Sequence, residues 1–321
     1  MRPLRVGVIG VGRLGKFHAQ KYHALPGVEL VAAVDIKPDR AQEVARQYDA
    51  EPFTDFHDVL DMVDAVSVAV PTESHYQVGR DVLAAGCHLL MEKPITYDLG
   101  HADELIEVAR EKGLVFQVGH VERFNPAVRK METLLTQPIF IESHRLNLFT
   151  TRGTDVDVVL DLMIHDLDIV AHIVSAEVKE LHAVGMPVIT GKIDIANVRI
   201  IFSNGTVANL TASRVSNKNL RKIRIFQPDA YISVDCLNRK IGVTRLENHK
   251  DDPEGLPQVN TTKLEYPGSD PLADQVRSFV KAVKDGKAPV VSGEDARKAL
   301  WVAHNIIDQI NRGCKDFQAI C

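Results

Sequence analysis

The stretch that most restricts what this chain can become is a glycine string set between a strand and a helix. Arg5-Val-Gly-Val-Ile-Gly10 is a short β-branched run leading directly into Gly10-x-Gly12-x-x-Gly15. A helical pattern follows from Lys16 to about Ala24, where Pro26-Gly27 closes it. Each glycine has its own physical reason. Gly10 allows a tight turn, Gly12 lets backbone approach a pyrophosphate, and Gly15 lets the helix pack closely on the strand. A phosphate then rests on the positive helix N-terminus, in a cradle that includes Arg13 and Leu14. Such a string also occurs in ordinary turns, so its context matters. Val28 to Asp35 reads as a second strand, and Asp35 falls twenty residues after Gly15, where a carboxylate accepts hydrogen bonds from a ribose 2′-hydroxyl. A 2′-phosphate would be repelled, which favours NAD over NADP, although Lys37 and Arg40 lie near enough to soften the preference.

Further βα steps follow. Asp64 to Val70 is a buried strand ending in Pro71-Thr72-Glu73-Ser74-His75, and a helix runs from Tyr76 to Ala85. His88-Leu-Leu-Met-Glu92-Lys93-Pro94 is an apolar run that ends in an acid, a base and a proline. A helix from Gly100 to Glu111 and a strand from Leu114 to Gly119 complete the series. Alternation of this kind predicts a doubly wound parallel sheet, with ligand at the carboxyl ends of its strands. Lys93 lies at that edge, where Pro94 stops the strand and a charge faces a crevice. Thr72 and His75 stand at the same edge as candidate cofactor contacts. For His75, a helix-start histidine with no ligand is an equal reading.

A length of 321 residues suggests two domains, a dinucleotide-binding one over 1–121 and a substrate-binding and oligomerisation one over 122–321. The formal charge of -5 is mild and no charged block stands out, which argues against nucleic acid or an anionic membrane as partner. No apolar run reaches membrane-spanning length, and Arg13 and Lys16 interrupt the first apolar stretch as they would not in a signal peptide. The four cysteines form no C-x-x-C pair and no zinc spacing, which fits a reduced, cytoplasmic setting without a structural disulfide.

After Gly119 the pattern changes. His120-Val-Glu-Arg-Phe-Asn-Pro126 is a polar and aromatic hinge, and Arg123 and Asn125 within it either reach a substrate or hold the domains; a helix from Ala127 to Leu135 follows. The stretch from Asp155 to Val174 reads as an amphipathic helix in which Asp161, His165 and Asp168 fall at i, i+4 and i+7, with Val158, Leu162, Ile169 and Ile173 toward a core. A carboxylate beside an imidazole fixes its tautomer and raises its affinity for a proton, which suits a general base. A solvated helix face and a metal site compete with that reading. The metal version lacks a third strong ligand at a recognisable spacing, so no metal is expected. Strand-like segments follow from Ile139 to Leu148 and, after the helix, between Val178 and Leu246. Hairpin turns such as Ser203-Asn204-Gly205 and Pro228-Asp229 predict a mainly antiparallel open sheet with one face on a helix layer. The other face needs cover, for which a second subunit in a homodimer or homotetramer is the economical answer. Gly255 to Pro271 reads as a loop, and helices from Leu272 to Lys284 and Glu294 to Asn311 close the chain.

In combination, Gly10-x-Gly12-x-x-Gly15, Asp35, Glu92-Lys93-Pro94 and Asp161-x-x-x-His165 resemble the glucose-fructose oxidoreductase, inositol dehydrogenase and rhizopine-catabolism (Gfo/Idh/MocA) family over essentially the whole chain. The glutamate-lysine-proline triplet is the most specific mark. The resemblance implies an N-terminal Rossmann domain with NAD and a C-terminal α/β domain, together oxidising a CH–OH group of a sugar or polyol. It implies that Glu92 belongs to the cofactor site, that Lys93 contacts the reacting hydroxyl and the nicotinamide ribose, that His165 is the acid/base, and that Asp161 holds substrate. The family often has glycines around this aspartate, whereas here Val158-Val159-Leu160 precede it and Met163 stands between it and His165. Val118 to Pro126, Asp161 to Asp166 and Asn209 to Arg214 instead resemble a bacterial branch that oxidises the 3-hydroxyl of UDP-N-acetylglucosamine. That branch supplies a 3-keto nucleotide sugar to an aminotransferase in lipid A and cell-surface sugar synthesis. A dehydrogenase of a free polyol or aldose, a non-catalytic dinucleotide-binding regulator and an NADPH-dependent imine or double-bond reductase remain as alternatives.

Overall fold

The computed structural model describes residues 2–150, 156–247 and 258–318. The Asp155 start of the predicted helix, the 255–257 part of the predicted loop and Cys321 lie outside these residues. The chain divides into two compact units, one of residues 1–124 and 270–297, the other of residues 125–269 and from 298 onward.

The first unit alternates strand and helix: β1 (Leu4–Ile9), α1 (Arg13–His23), β2 (Val28–Val34), α2 (Pro38–Gln47), β3 (Glu51–Phe53), β4 (Ala65–Val68), α3 (His75–Ala84), β5 (His88–Glu92), α4 (Leu99–Glu111) and β6 (Phe116–Gly119). The sheet order is β3-β2-β1-β4-β5-β6 and every pairing is parallel. Strands buried on both faces read as unbroken apolar runs, as β4 and β6 do, with every residue of each buried. Sequence reading passed over β3, whose three residues Glu-Pro-Phe pair with β2 at the sheet's edge, a place that tolerates proline. One further helix of this unit comes from much later in the chain.

In the second unit, α5 (Pro126–Glu132) precedes β7 (Phe140–Leu148), and a π-helical turn over Val159–Met163 runs into α6 (Ile164–Val174). Seven strands follow: β8 (Val178–Met186), β9 (Ile195–Phe202), β10 (Val207–Ser216), β11 (Leu220–Gln227), β12 (Ala230–Asp235), β13 (Lys240–Glu247) and β14 (Gln258–Glu265). They join β7 in an eight-stranded sheet ordered β14-β13-β12-β11-β7-β10-β9-β8. Only the β7–β10 pair is parallel. The predicted loop over Gly255–Pro271 is corrected here, because residues 258–265 form β14 in register with all of β13. Alternation in β10 places Ala208, Leu210 and Ala212 in the core, while Val207, Asn209 and Thr211 stay half-exposed on the opposite face.

The final helices are α7 (Pro271–Asp285) and α8 (Gly293–Gln318), and the division between units runs through α8. Asp270 caps α7 by accepting from Ala273 N–H at 3.0 Å, with Pro271 in the first turn. Val276, Phe279 and Val280 of α7 join Val6, Val8, Tyr22 and Leu90 in one core cluster, so the first unit's sheet is covered partly by residues from the end of the chain. Among the described residues no helix is long and apolar enough to cross a membrane.

Candidate active site

At the start of α1 the three glycines face different surroundings. Gly10 has φ +84°, and a Cβ on it would lie 2.8 Å from the Ala69 carbonyl oxygen. A Cβ on Gly15 would lie 2.0 Å from the Gly10 carbonyl oxygen, so strand and helix approach as only glycine permits. Gly12 has nothing within 4 Å of where its Cβ would be. It is the N-cap of α1, no side chain caps it, and the first turn holds no acid, which leaves backbone N–H groups directed at open space. Arg13 and Leu14 are exposed beside it. At the end of β2, Asp35 is buried and accepts from the Lys37 N–H at 3.0 Å through Oδ1. Ile36, which sequence reading passed over, follows it with 87% exposure. A glycine cradle, uncapped helix donors and a fixed carboxylate next to an exposed apolar side chain fit a dinucleotide.

At the carboxyl end of β5, Lys93 is half-buried and its peptide bond to Pro94 is cis. Glu92, expected at the cofactor, instead turns into the protein: its Oε1 lies 3.1 Å from His18 Nε2, and it is 8% exposed. Burial pushes this carboxyl up, but the hydrogen bond with His18 and the charges of His18, Lys93 and His75 outweigh it and hold the group below its ordinary range. His75 is likewise turned inward. Its ring nitrogens lie 2.8 Å from the Pro94 carbonyl and 3.0 Å from the Val70 carbonyl, so it ties two loops of the sheet edge together. Burial lowers its proton affinity against the pull of those carbonyls and of Glu92. Thr72 opens the short turn before α3 and remains half-exposed. Arg123, weighed as a substrate contact, is buried and donates to the Val290 carbonyl at 3.4 Å.

In the second unit the predicted amphipathic helix is corrected. Val159–Met163 is a π turn and the α-helix proper starts at Ile164, so the expected spacing of one regular face does not hold through Asp161. The helix is buried almost all round: Asp161 and His165 are half-buried, and Asp168 is 2% exposed. Sequence reading missed Asp166, which forms a two-pronged pair with Arg145 of β7, Nε to Oδ2 at 3.0 Å and Nη2 to Oδ1 at 2.7 Å. Both partners are buried, and the pair anchors the turn carrying His165 to the sheet. Asn125 is another correction toward structure: its Oδ1 caps α5 by accepting from Ala127 N–H at 3.1 Å, while Nδ2 donates to the Cys236 carbonyl at 2.9 Å. Among the described residues no group of three His, Cys, Asp or Glu is placed to hold a metal ion.

Residues 4–120 match the family described as an oxidoreductase family with an NAD-binding Rossmann fold, and residues 128–232 match its C-terminal domain. The chain belongs to the Gfo/Idh/MocA family. Within it, the sequence is 38% identical over 301 residues to UDP-N-acetylglucosamine 3-dehydrogenase of Acidithiobacillus ferrooxidans, covering 94% of this chain and 95% of the relative. A solved structure of that enzyme superposes with a TM-score of 0.90 over 97% of this chain and 98% of the other, at 38% identity. Myo-inositol 2-dehydrogenase of Thermotoga maritima is 27% identical, with 94% of both chains covered. Membership makes the protein an NAD-binding oxidoreductase of the Gfo/Idh/MocA type. His18 and Asp166 left a signal that a stricter reading would have caught, since a polar residue on the core-facing side of a helix needs a partner.

Proposed function

We propose that the protein oxidises the 3-hydroxyl of UDP-N-acetylglucosamine with NAD, giving a 3-keto nucleotide sugar. The observation that carries this is the likeness to the Acidithiobacillus enzyme along nearly the whole chain, at 38% identity against 27% for the inositol enzyme. Lys93, Asp161 and His165 are all present, which counts against a regulator without turnover, since such a protein needs no acid/base set.

NAD, when bound at the Gly10–Gly15 cradle, supplies the hydride acceptor. His165 takes the proton of the reacting hydroxyl, assistance typically worth about 10²- to 10⁴-fold. Lys93 as an ammonium stabilises the developing alkoxide, and Asp161 holds the sugar. Thr72 stands among the cofactor contacts. Asp35 favours NAD over NADP by accepting from a ribose hydroxyl and repelling a phosphate. The ketone product is a substrate for an aminotransferase, in the cytoplasm where nucleotide sugars are made. A homodimer or homotetramer covers the half-exposed face of the eight-stranded sheet.

The test is the rise of NADH absorbance when purified protein and NAD receive UDP-N-acetylglucosamine, with glucose and myo-inositol in parallel and a ketone trap present to draw the oxidation forward. A rise confined to the nucleotide sugar supports the proposal. A rise confined to free sugars or polyols returns the protein to the inositol branch.

A further inference from the structure

Behind the sheet edge that carries Lys93, four polar side chains run in line through an otherwise apolar layer. The Tyr22 hydroxyl lies 3.2 Å from Ser67 Oγ, Ser67 Oγ lies 2.9 Å from His18 Nδ1, and His18 Nε2 lies 3.1 Å from Glu92 Oε1. Tyr22, Ser67 and His18 have no exposed surface at all. The protons fit in one direction with none left over. Tyr22 donates its only one to Ser67, Ser67 donates to Nδ1, and Nε2–H donates to the Glu92 carboxylate. A neutral imidazole therefore completes the chain, which ends on a charged acceptor.

The fold also makes room for that acceptor. Gly119 of β6 is paired with Glu92, and a Cβ at this position would stand 2.6 Å from Glu92 Oε1. Apolar packing in the same place would usually cost no more than a buried charge, so a chain that keeps the charge is using it. The charged and titratable groups acting on Glu92 are His18 of α1, His75 of α3 and Lys93 on its own loop, while the flanking strands present Ser67 and Gly119.

We propose that His18 is a positioning residue that acts on Lys93 through Glu92. The role given to Lys93 rests on the function proposed above; the Tyr22–Ser67–His18–Glu92 chain does not. Glu92 precedes Lys93 directly, and His18 fixes its carboxylate from the far side. The ammonium thus works opposite a stationary charge. In His18→Leu the donor is gone, burial then favours the neutral carboxyl, and Lys93 loses its fixed counter-charge.

Wild type, His18→Leu, His18→Gln, Glu92→Gln and the His18→Leu/Glu92→Gln pair are compared by infrared spectroscopy and by kinetics with NAD and UDP-N-acetylglucosamine. At neutral pH, His18→Leu should gain a protonated-carboxyl band that the pair lacks. Its kcat should fall roughly ten- to hundred-fold, the range of a lost hydrogen bond to a charged group, with KM for NAD unchanged. His18→Gln, whose amide donates to Glu92, should recover part of the loss, and the pair should be no slower than Glu92→Gln alone. Absence of the band in His18→Leu, or its presence with unchanged kcat, overturns the proposal. If His18→Leu does not fold, Glu92→Gln decides, and wild-type turnover in it overturns the proposal equally. Silence of the wild type on every sugar would sink the functional reading, while the infrared comparison still rules for or against the hold of His18 on Glu92.

Discussion

Gly12 and Gly15 are the same residue three positions apart, and their surroundings give substitution opposite consequences. Open space around Gly12 means that Gly12→Ala should melt like the wild type while binding NAD at least about tenfold more weakly, because the new methyl group occupies the pyrophosphate's approach. A Cβ at Gly15 would run into the Gly10 carbonyl, so Gly15→Ala should lower the melting temperature by several degrees, as a strained substitution of about 1–3 kcal/mol does. Thermal melts beside NAD titrations check both, and equal behaviour of the two variants would refute the distinction. At this scale the sequence was legible wherever chemistry comes with fixed spacing. Glycine string, Asp35, Lys93, Asp161 and His165 all stood out. Asp166 did not, because its partner Arg145 is 21 positions away on a strand, and long-range pairing leaves no local period. Glu92 and His75 stood out for their positions at a strand end, but a position does not reveal which way a side chain turns.

Among the elements, the segment between β8 and β9 shows how one acid organises a loop. Asp194 has no exposed surface. Its Oδ2 accepts from the N–H groups of Val188, Ile189 and Thr190 at 2.7–2.8 Å, and its Oδ1 accepts from the Thr190 hydroxyl at 2.6 Å. Burial alone would raise its pKa, but these bonds bring it down to about 2. A carboxyl depressed in the folded state contributes stability that is complete above its unfolded value and is lost as pH falls through the folded one. Wild type should therefore exceed Asp194→Asn by about 2 kcal/mol more at pH 6 than near pH 2, read from urea unfolding at both. A pH-independent difference would remove the carboxylate from the account. The neighbouring β8 is an edge strand, and Gln309 of α8 covers part of it by accepting from the Ala183 N–H and donating to the Leu181 carbonyl at 3.0 Å. Strand limits were legible from alternation, as in β10. β14 was not, since Gln258–Glu265 carries polar residues on both faces and reads as a loop until β13 supplies its register.

At the scale of the molecule, the doubly wound order of the first unit was legible from strict alternation of strand and helix, whereas the membership of α7 was not. An amphipathic helix announces an apolar face without saying which sheet that face meets. With Val276, Phe279 and Val280 in the core beside Val6 and Leu90, a fragment of residues 2–124 should lack cooperative melting and bind a hydrophobic dye. Fusing residues 270–297 to it through a flexible linker should restore a sharp transition. A sharp transition in the fragment alone would show that α7 is dispensable. The return of α7 also reaches beyond equilibrium. Synthesis on the ribosome proceeds from the N-terminus at about 5–20 residues per second, so the first unit to emerge waits roughly ten seconds or longer for the helix that closes it. During that interval its bare apolar face is a target for chaperones, and synonymous codons that slow translation between Asn125 and Ser269 would lengthen the exposure without changing one residue of the product.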